Sequence, residues 1–171
     1  HTGATEGLLD KCEQQRTTPK IFYINSSTEY WNRGAALAHI DMSGAVDLAV
    51  PAAVRIYHFA STQHGAADLP VEANALPGNP VDFRLGHRAL LQALDRWAQE
   101  GVEPPVSRYG TIADGTLRHF TALEFPSLPG MPLPRLHRRP RKLDYGPDWD
   151  KGVIATEPPG LGDEYETLLP A

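Results

Sequence analysis

Two short apolar segments, separated by a helix-forming stretch, constrain the fold of this chain most strongly. Residues 20–24 (KIFYI) and 54–60 (VRIYHFA) have the composition of short buried strands. Between them, residues 29–39 favour a helix, and Ser26 and Glu29 have the spacing of a capping box. The order strand, helix, strand predicts a βαβ unit with two parallel strands, and therefore an α/β fold.

A second, longer helix is predicted after a loop rich in Pro, Gly and Asn at residues 69–80. Asp82 suits the N-cap of this helix, and Gly101 suits its C-terminal end. The apolar stripe that makes the helix amphipathic consists of Leu90, Leu91, Leu94, Trp97 and Ala98. We expect the stripe to pack in the core, because amphipathic helices of globular proteins normally bury such a face.

Prolines divide the chain unevenly, since 5 of the 16 lie before residue 104 and 11 lie from Pro104 onward. We therefore expect an α/β part at residues 1–103 and a mostly irregular, Pro-rich extension at residues 104–171, with one candidate strand at 115–123. Parallel sheets are buried on both faces, so two parallel strands do not form a stable sheet by themselves. The chain is therefore expected to lack part of its own fold.

Composition excludes several classes of protein. With 41% apolar and 22% charged residues among 171, the chain is expected to form one globular domain. Its net charge of −5 argues against nucleic-acid binding through overall positive charge. No apolar run reaches the roughly 18–20 residues that span a bilayer. No secretory leader is recognisable after His1. We expect a soluble protein, cytoplasmic or periplasmic.

Two titratable residues follow the two predicted strands. Glu29 comes after the first strand and His64 after the second, so both should lie over the same edge of the sheet, where function gathers in open α/β folds. A carboxylate bonded to an imidazole fixes the ring tautomer and stabilises the protonated ring, as the acid does in a nucleophile, acid and base triad. Glu29 before His64 matches one known chain order of such triads.

Each candidate residue also has a purely structural interpretation. Glu29 could serve only as the third helical residue of a capping box, and His64 could be a loop histidine bonded to backbone or water. Tyr30 and Trp31 are candidates for lining a substrate pocket, although aromatic residues at the start of a helix that packs on a sheet also suit the core.

Two further patterns carry less weight. The basic run Arg135–Lys142 resembles a phosphate or nucleic-acid patch, but in an acidic chain it also suits a solvated loop or a partner of the acidic residues near 148–150. Seven histidines are present, yet neither HxxxH nor HExxH occurs, and Cys12 is the one cysteine. We therefore expect no metal and no cofactor, with metal-assisted hydrolysis as a weaker alternative.

Several sequence blocks together carry a family resemblance. The blocks PKIFYINSSTEYW at 19–31 and VRIYHFASTQHG at 54–65 are specific when found together. Further blocks are NPVDF at 79–83, the helix at 90–97, PVSRY at 105–109 and ADGTL at 113–117, with traces in DYGP at 144–147 and at Pro158 and Pro159. Over roughly residues 2–117, the chain resembles the C-terminal part of the bacterial α/β-hydrolase domain-containing proteins.

The resemblance implies a serine hydrolase fold with Glu29 in the place of the acid and His64 in that of the general base. It also implies a serine nucleophile upstream of His1, and ester or acyl hydrolysis through an acyl-enzyme in the intact protein. None of the serines here lies in a nucleophile-elbow pattern, and no HGGG-type loop occurs. The chain alone is therefore expected to be inactive, with a small ester or acyl substrate and the N-terminal part of the fold as its partners. The alternative is a non-catalytic binding or structural module that covers another domain or subunit.

Overall fold

A two-stranded parallel sheet forms the centre of the βαβ unit. The computed structural model describes residues 6–68, 78–130, 132 and 134–171. Strands β1 (Ile21–Ser26) and β2 (Val54–Phe59) pair in register, from Ile21 opposite Val54 to Ser26 opposite Phe59. The predicted parallel pair is therefore confirmed. A short helix, α1 (Asp10–Gln15), precedes it, and most of the predicted loop at 69–80 lies outside the described residues.

The first crossover helix is shorter than predicted. Helix α2 (Ser27–Arg33) begins directly after β1 and ends at Gly34, which has a φ of 64°. A 3₁₀ turn, Ala35–Ala38, follows, so a single helix over 29–39 is wrong. The physical reason is that Gly34 adopts the left-handed conformation that terminates helices, and that Pro140 packs against it, since a Cβ at Gly34 would lie 2.9 Å from Cγ of Pro140.

The long helix α3 spans Arg84–Glu100 and ends at Gly101, as expected. Its N-cap is Phe83, not Asp82. The Asp82 carboxylate still accepts a hydrogen bond from the backbone N–H of Arg84, at 2.9 Å, and so serves one of the free amides of the first turn. The prediction was therefore wrong by one position, while the carboxylate retains part of the capping role.

The apolar face of α3 is narrower than its sequence stripe. Trp97 is 1% exposed and packs over β1, with its ring 5.9 Å from that of Phe22. Leu90 and Leu94 are half-buried, but Leu91 is 67% exposed and Ala98 is exposed as well. The expectation that the whole stripe packs in the core is therefore wrong for Leu91 and Ala98. Both lie beside the row of residues with which α3 faces the sheet.

Four short strands lie in the described part of the Pro-rich extension. Its strands are β3 (Leu117–Arg118), β4 (Arg141–Asp144), β5 (Gly160–Glu164) and β6 (Leu169–Pro170), with β3 antiparallel to β6 and β4 antiparallel to β5. The strand expected at 115–123 shrinks to the two residues of β3, because the 3₁₀ turn Phe120–Ala122 follows at once.

Residues from both sides of position 104 share one core cluster. Tyr30 and Leu169 are both 0% exposed, and their cluster also contains Ala36, Ile40, Leu117 and Leu168. At the sheet, the backbone N–H of His58 in β2 donates to the carbonyl of Arg108 at 2.8 Å. The extension thus covers α2 and one edge of the sheet, whereas the division of the chain at residue 104 stays a prediction.

His39 is a buried histidine at the centre of this core. It is 1% exposed, and its Nε2 lies 3.0 Å from the hydroxyl of Tyr30, while its Nδ1 has no hydrogen-bond partner within the described residues. The ring of Tyr109 packs edge-on against it, at 4.6 Å. Burial lowers the pKa of His39 to about 4, because the charged ring would lose its hydration.

The burial of His39 makes the stability of the fold dependent on pH. His39 binds a proton near pH 6.5 in the unfolded chain and near pH 4 in the folded chain. The stability that its uncharged ring allows is therefore complete above pH 6.5, and the free energy of unfolding decreases as the pH falls toward 4. We expect the free energy of unfolding in urea to decrease by about 2 kcal/mol from pH 7 to pH 4.5 through this group. In the variant His39→Gln this decrease should largely disappear, whereas His119→Gln, at an exposed histidine, should retain it. An equally steep pH dependence in His39→Gln would contradict the assignment.

Candidate active site

A capping box positions Glu29 at the junction of β1 and α2. The hydroxyl of Ser26 accepts a hydrogen bond from the N–H of Thr28 at 3.1 Å. In return, Oε2 of Glu29 accepts from the N–H of Ser26 at 2.8 Å and also from its hydroxyl. One carboxylate oxygen is therefore occupied by the start of the helix, and the other is free to point elsewhere.

The loop after β2 is fixed to the same junction. Ser61 has a left-handed φ of 57°, and its N–H donates to the hydroxyl of Ser27 at 3.0 Å. The N–H of Ser27 in turn donates to the carbonyl of Thr62 at 3.1 Å. These two bonds hold the loop against the first residue of α2, and His64 follows two residues after Thr62.

The junction brings His64 and Glu29 into direct contact. Nδ1 of His64 lies 2.7 Å from Oε1 of Glu29, so the expected proximity of the two residues is confirmed. A carboxylate only accepts hydrogen bonds, and the proton of this bond therefore belongs to Nδ1, which leaves Nε2 as an acceptor. The Glu29 side chain is 16% exposed, whereas that of His64 is 67% exposed. The ring can accordingly take a proton from a group that approaches from outside.

The surroundings of Glu29 favour its charged form. Burial raises the pKa of its carboxyl, but the hydrogen bonds from Ser26 and His64 outweigh burial and hold the pKa below its usual value. Glu29 is therefore ionised at neutral pH. The capping and acid interpretations do not exclude each other, because each uses a different oxygen of the same carboxylate.

A small cleft adjoins the pair, with a volume of about 180 Å³. Besides Glu29 and His64, its lining residues are Ile24, Ser26, Arg33, Phe59, Phe83 and His87. The aromatic side packs tightly, since a Cβ at Gly86 would lie 2.5 Å from the ring of Phe59. Four of these lining residues, Arg33, Phe59, Phe83 and His87, are not among the site residues predicted from sequence. The helical spacing of Phe83 and His87, which places both on one face at the start of α3, was the available signal.

The hydroxyls of Ser26 and Ser27, at the start of α2, form hydrogen bonds other than to His64. All six serines lie in the described part of the chain, and none of them hydrogen-bonds to His64. Ser26 bonds to Glu29, Ser27 accepts from Ser61, and the Ser107 hydroxyl accepts from the N–H of Ile56. The arrangement therefore pairs a carboxylate with an imidazole, and no serine hydroxyl of the described residues bonds to that imidazole.

The two aromatic candidates pack inside the protein. Tyr30 is 0% exposed and bonds to His39, and Trp31 lies against the rings of Phe120 and Phe125, each at 5.9 Å. Neither residue lines the cleft beside His64. These contacts match the alternative of core packing, and a substrate-binding role for the pair stays an untested expectation.

The basic run makes contacts other than those proposed from sequence. Arg139 forms ion pairs with Glu164 at 2.6 Å and Glu166 at 3.3 Å, while Asp148 is paired with Lys151 at 2.7 Å. In the described ranges, no group of three or more His, Cys, Asp or Glu is placed to hold a metal ion. Nor does a described helix have the length and apolarity needed to cross a membrane.

Comparison with known proteins identifies the family. No curated protein and no solved structure matches the chain significantly. The model of the family described as "Alpha/beta hydrolase domain" matches residues 2–136, which is most of the chain and includes both strands, Glu29, His64 and α3. The parallel strand pair and the crossover helix are compatible with that assignment. The chain therefore belongs to the alpha/beta hydrolase domain family.

Proposed function

We propose that this chain supplies the acid and the general base of a serine-type hydrolase that cleaves esters or related acyl compounds. The observation that carries the proposal is the 2.7 Å contact between Nδ1 of His64 and the ionised carboxylate of Glu29. The pair lies at the carboxyl ends of two parallel strands, where α/β folds gather their functional groups. Family membership independently favours hydrolytic chemistry.

The geometry supports one role for His64, as the base, and another for Glu29, as the acid that orients it. With Nδ1 bonded to Glu29, Nε2 of His64 takes the proton from a serine hydroxyl as the serine oxygen attacks the carbonyl carbon of the substrate. The protonated ring then gives this proton to the departing alcohol, and an acyl-enzyme remains. Water attacks the acyl carbon in the same way, with His64 again as base and the serine as leaving group. Throughout, the negative charge of Glu29 stabilises the protonated imidazole.

The nucleophile is proposed to come from a part of the same fold that precedes this sequence. Within the described residues, no strand pairs with the outer edge of β1. The backbone N–H of Ile21 donates to the carbonyl of Ala53, on the side of β2. Because successive residues of a strand alternate, the backbone N–H and C=O groups of Phe22 and Ile24 point away from β2, toward this outer edge. On α3, Leu85 and Leu91 are 74% and 67% exposed. A further parallel strand beside β1, with its helices, would cover these surfaces and bring a serine toward Nε2.

The alternative is a non-catalytic module, in which the same uncovered surfaces bind another domain or subunit. Two observations on the described residues favour it: no strand pairs with the outer edge of β1, and no serine hydrogen-bonds to His64. The two functions differ in one observable property, since only a hydrolase reacts covalently with a serine-directed probe through a base.

The first experiment replaces the proposed base in the full-length gene product. In His64→Ala, labelling by a fluorophosphonate probe should fall by at least about 10²-fold, because the serine loses its proton acceptor. The control His119→Ala removes an exposed histidine that pairs with Glu166 at 3.4 Å, far along the chain from the cleft, and should label normally. Equal labelling of both variants would reject His64 as the base, whereas no labelling of the unaltered protein would reject the hydrolase proposal in favour of the non-catalytic module.

A second experiment separates the acid role of Glu29 from its capping role. Gln also fills the third position of a capping box, so Glu29→Gln should change the free energy of unfolding by less than about 1 kcal/mol. It removes the charge beside His64, however, and kcat for 4-nitrophenyl butyrate should fall roughly 10²- to 10⁴-fold. The matched control is Glu124→Gln, at an exposed carboxylate. If kcat of Glu29→Gln stays within a factor of three of the kcat of the unaltered protein, the acid role is rejected and Glu29 serves only as a helix cap.

A further inference from the structure

Arg33 is a charged residue of the cleft for which the structure shows no internal role. It lies in the last turn of α2 and lines the cleft together with Glu29 and His64. Its side chain forms no ion pair or hydrogen bond with a described residue, although Glu29 stands four positions earlier, at a spacing that favours pairing. Both carboxylate oxygens of Glu29 are already engaged, by Ser26 and by His64. The guanidinium is therefore available to a ligand.

The other charged groups near His64 do not neutralise Arg33. Asp68, Asp82 and Arg84 line an adjoining cavity that shares His64 with the cleft, and Asp82 and Arg84 pair with each other there at 2.8 Å. The basic residue Arg138 lies beside α2, since its backbone N–H donates to the carbonyl of Trp31 at 2.9 Å. Glu29, whose two carboxylate oxygens are already engaged by Ser26 and His64, is the one carboxylate among the lining residues of the cleft.

The rest of the cleft limits the kind of ligand. Ile24, Phe59 and Phe83 give it an apolar wall, and its volume of about 180 Å³ is below the roughly 300–1,000 Å³ of common small-molecule sites. Arg33 is the only arginine or lysine among the lining residues. One planar cation beside a short apolar wall matches a short aliphatic chain that ends in a singly charged carboxylate, which a guanidinium can bind through two parallel hydrogen bonds.

We infer that Arg33 determines specificity, by binding a free carboxylate that the ester substrate carries at the far end of a short acyl chain. The inference rests on the proposed hydrolytic function of His64 and Glu29 and adds the substrate class. Arg33 acts on substrate binding and takes no part in proton transfer, so its contribution falls on KM more than on kcat.

The test compares two esters that differ only at the end of a five-carbon acyl chain. Mono-4-nitrophenyl glutarate has a carboxylate where 4-nitrophenyl pentanoate has a methyl group. In the full-length protein, Arg33→Gln should lower the ratio of kcat/KM for glutarate over pentanoate about tenfold, mainly through KM, and Arg33→Lys should restore part of it. The control Arg96→Gln, at an exposed arginine near Glu100 on α3, should leave the ratio unchanged. An unchanged ratio in Arg33→Gln overturns the inference.

A binding measurement keeps this inference separate from the proposed function. Glutarate is titrated into the labelled full-length protein while the NMR signals of the His64 ring are followed, with neutral glutaramide as control. Saturable shifts with glutarate, absent with glutaramide and about tenfold weaker in affinity in Arg33→Gln, are expected. If neither ester is hydrolysed but these shifts occur, the hydrolase proposal fails and the carboxylate site stands. If glutarate causes no shift, or the same shift in Arg33→Gln, the site itself is rejected.

Discussion

The carboxylate of Glu29 ties together the two loops on which the candidate site depends. Its Oε2 accepts from Ser26 and fixes where β1 becomes α2, and its Oε1 accepts from His64 in the loop after β2. The bonds between Ser27 and residues 61 and 62 reinforce the same junction. The same side chain therefore caps the helix and bonds to the imidazole. The orientation of His64 thus depends on the fixed position of Glu29, although the His64 ring itself is exposed.

The position of α2 depends on residues outside the family match. That match ends at residue 136, whereas Leu168 and Leu169 lie in the core cluster with Tyr30. The backbone of Arg138 also bonds to Trp31. The extension is thus a structural support for the helix that carries Glu29 and Arg33. The extension has many prolines and its strands are only two to five residues long, yet it packs against the rest of the fold.

Sequence was sufficient where the determinants are local. The strands of the βαβ unit follow from apolar runs, and the capping box from Ser26 and Glu29, so the meeting of Glu29 with His64 could be expected from parallel topology alone. The roles of the two residues in catalysis stay a prediction. Sequence also identified the family, through blocks that the family model covers.

Sequence was insufficient where tertiary contacts decide. Gly34 ends α2 in close contact with Pro140, more than a hundred positions away, and no local pattern encodes that approach. The two-residue strands β3 and β6 form only because they pair with each other. The amino-acid composition of each does not distinguish it from a loop. The cleft residue Arg33 was missed for the same reason, since an exposed arginine at a helix end looks like any surface charge until its neighbours are known.

The dependence of α2 on Leu168 and Leu169 also bears on how the protein assembles during synthesis. These side chains leave the ribosome long after Tyr30 and Ala36, which they cover in the finished core. Contacts so distant in sequence close slowly, because a long loop must be ordered before they form. During translation the apolar side of α2 therefore stays uncovered until Leu168 and Leu169 emerge, although the strands on either side of it are already made, and exposed apolar surface of this kind favours aggregation.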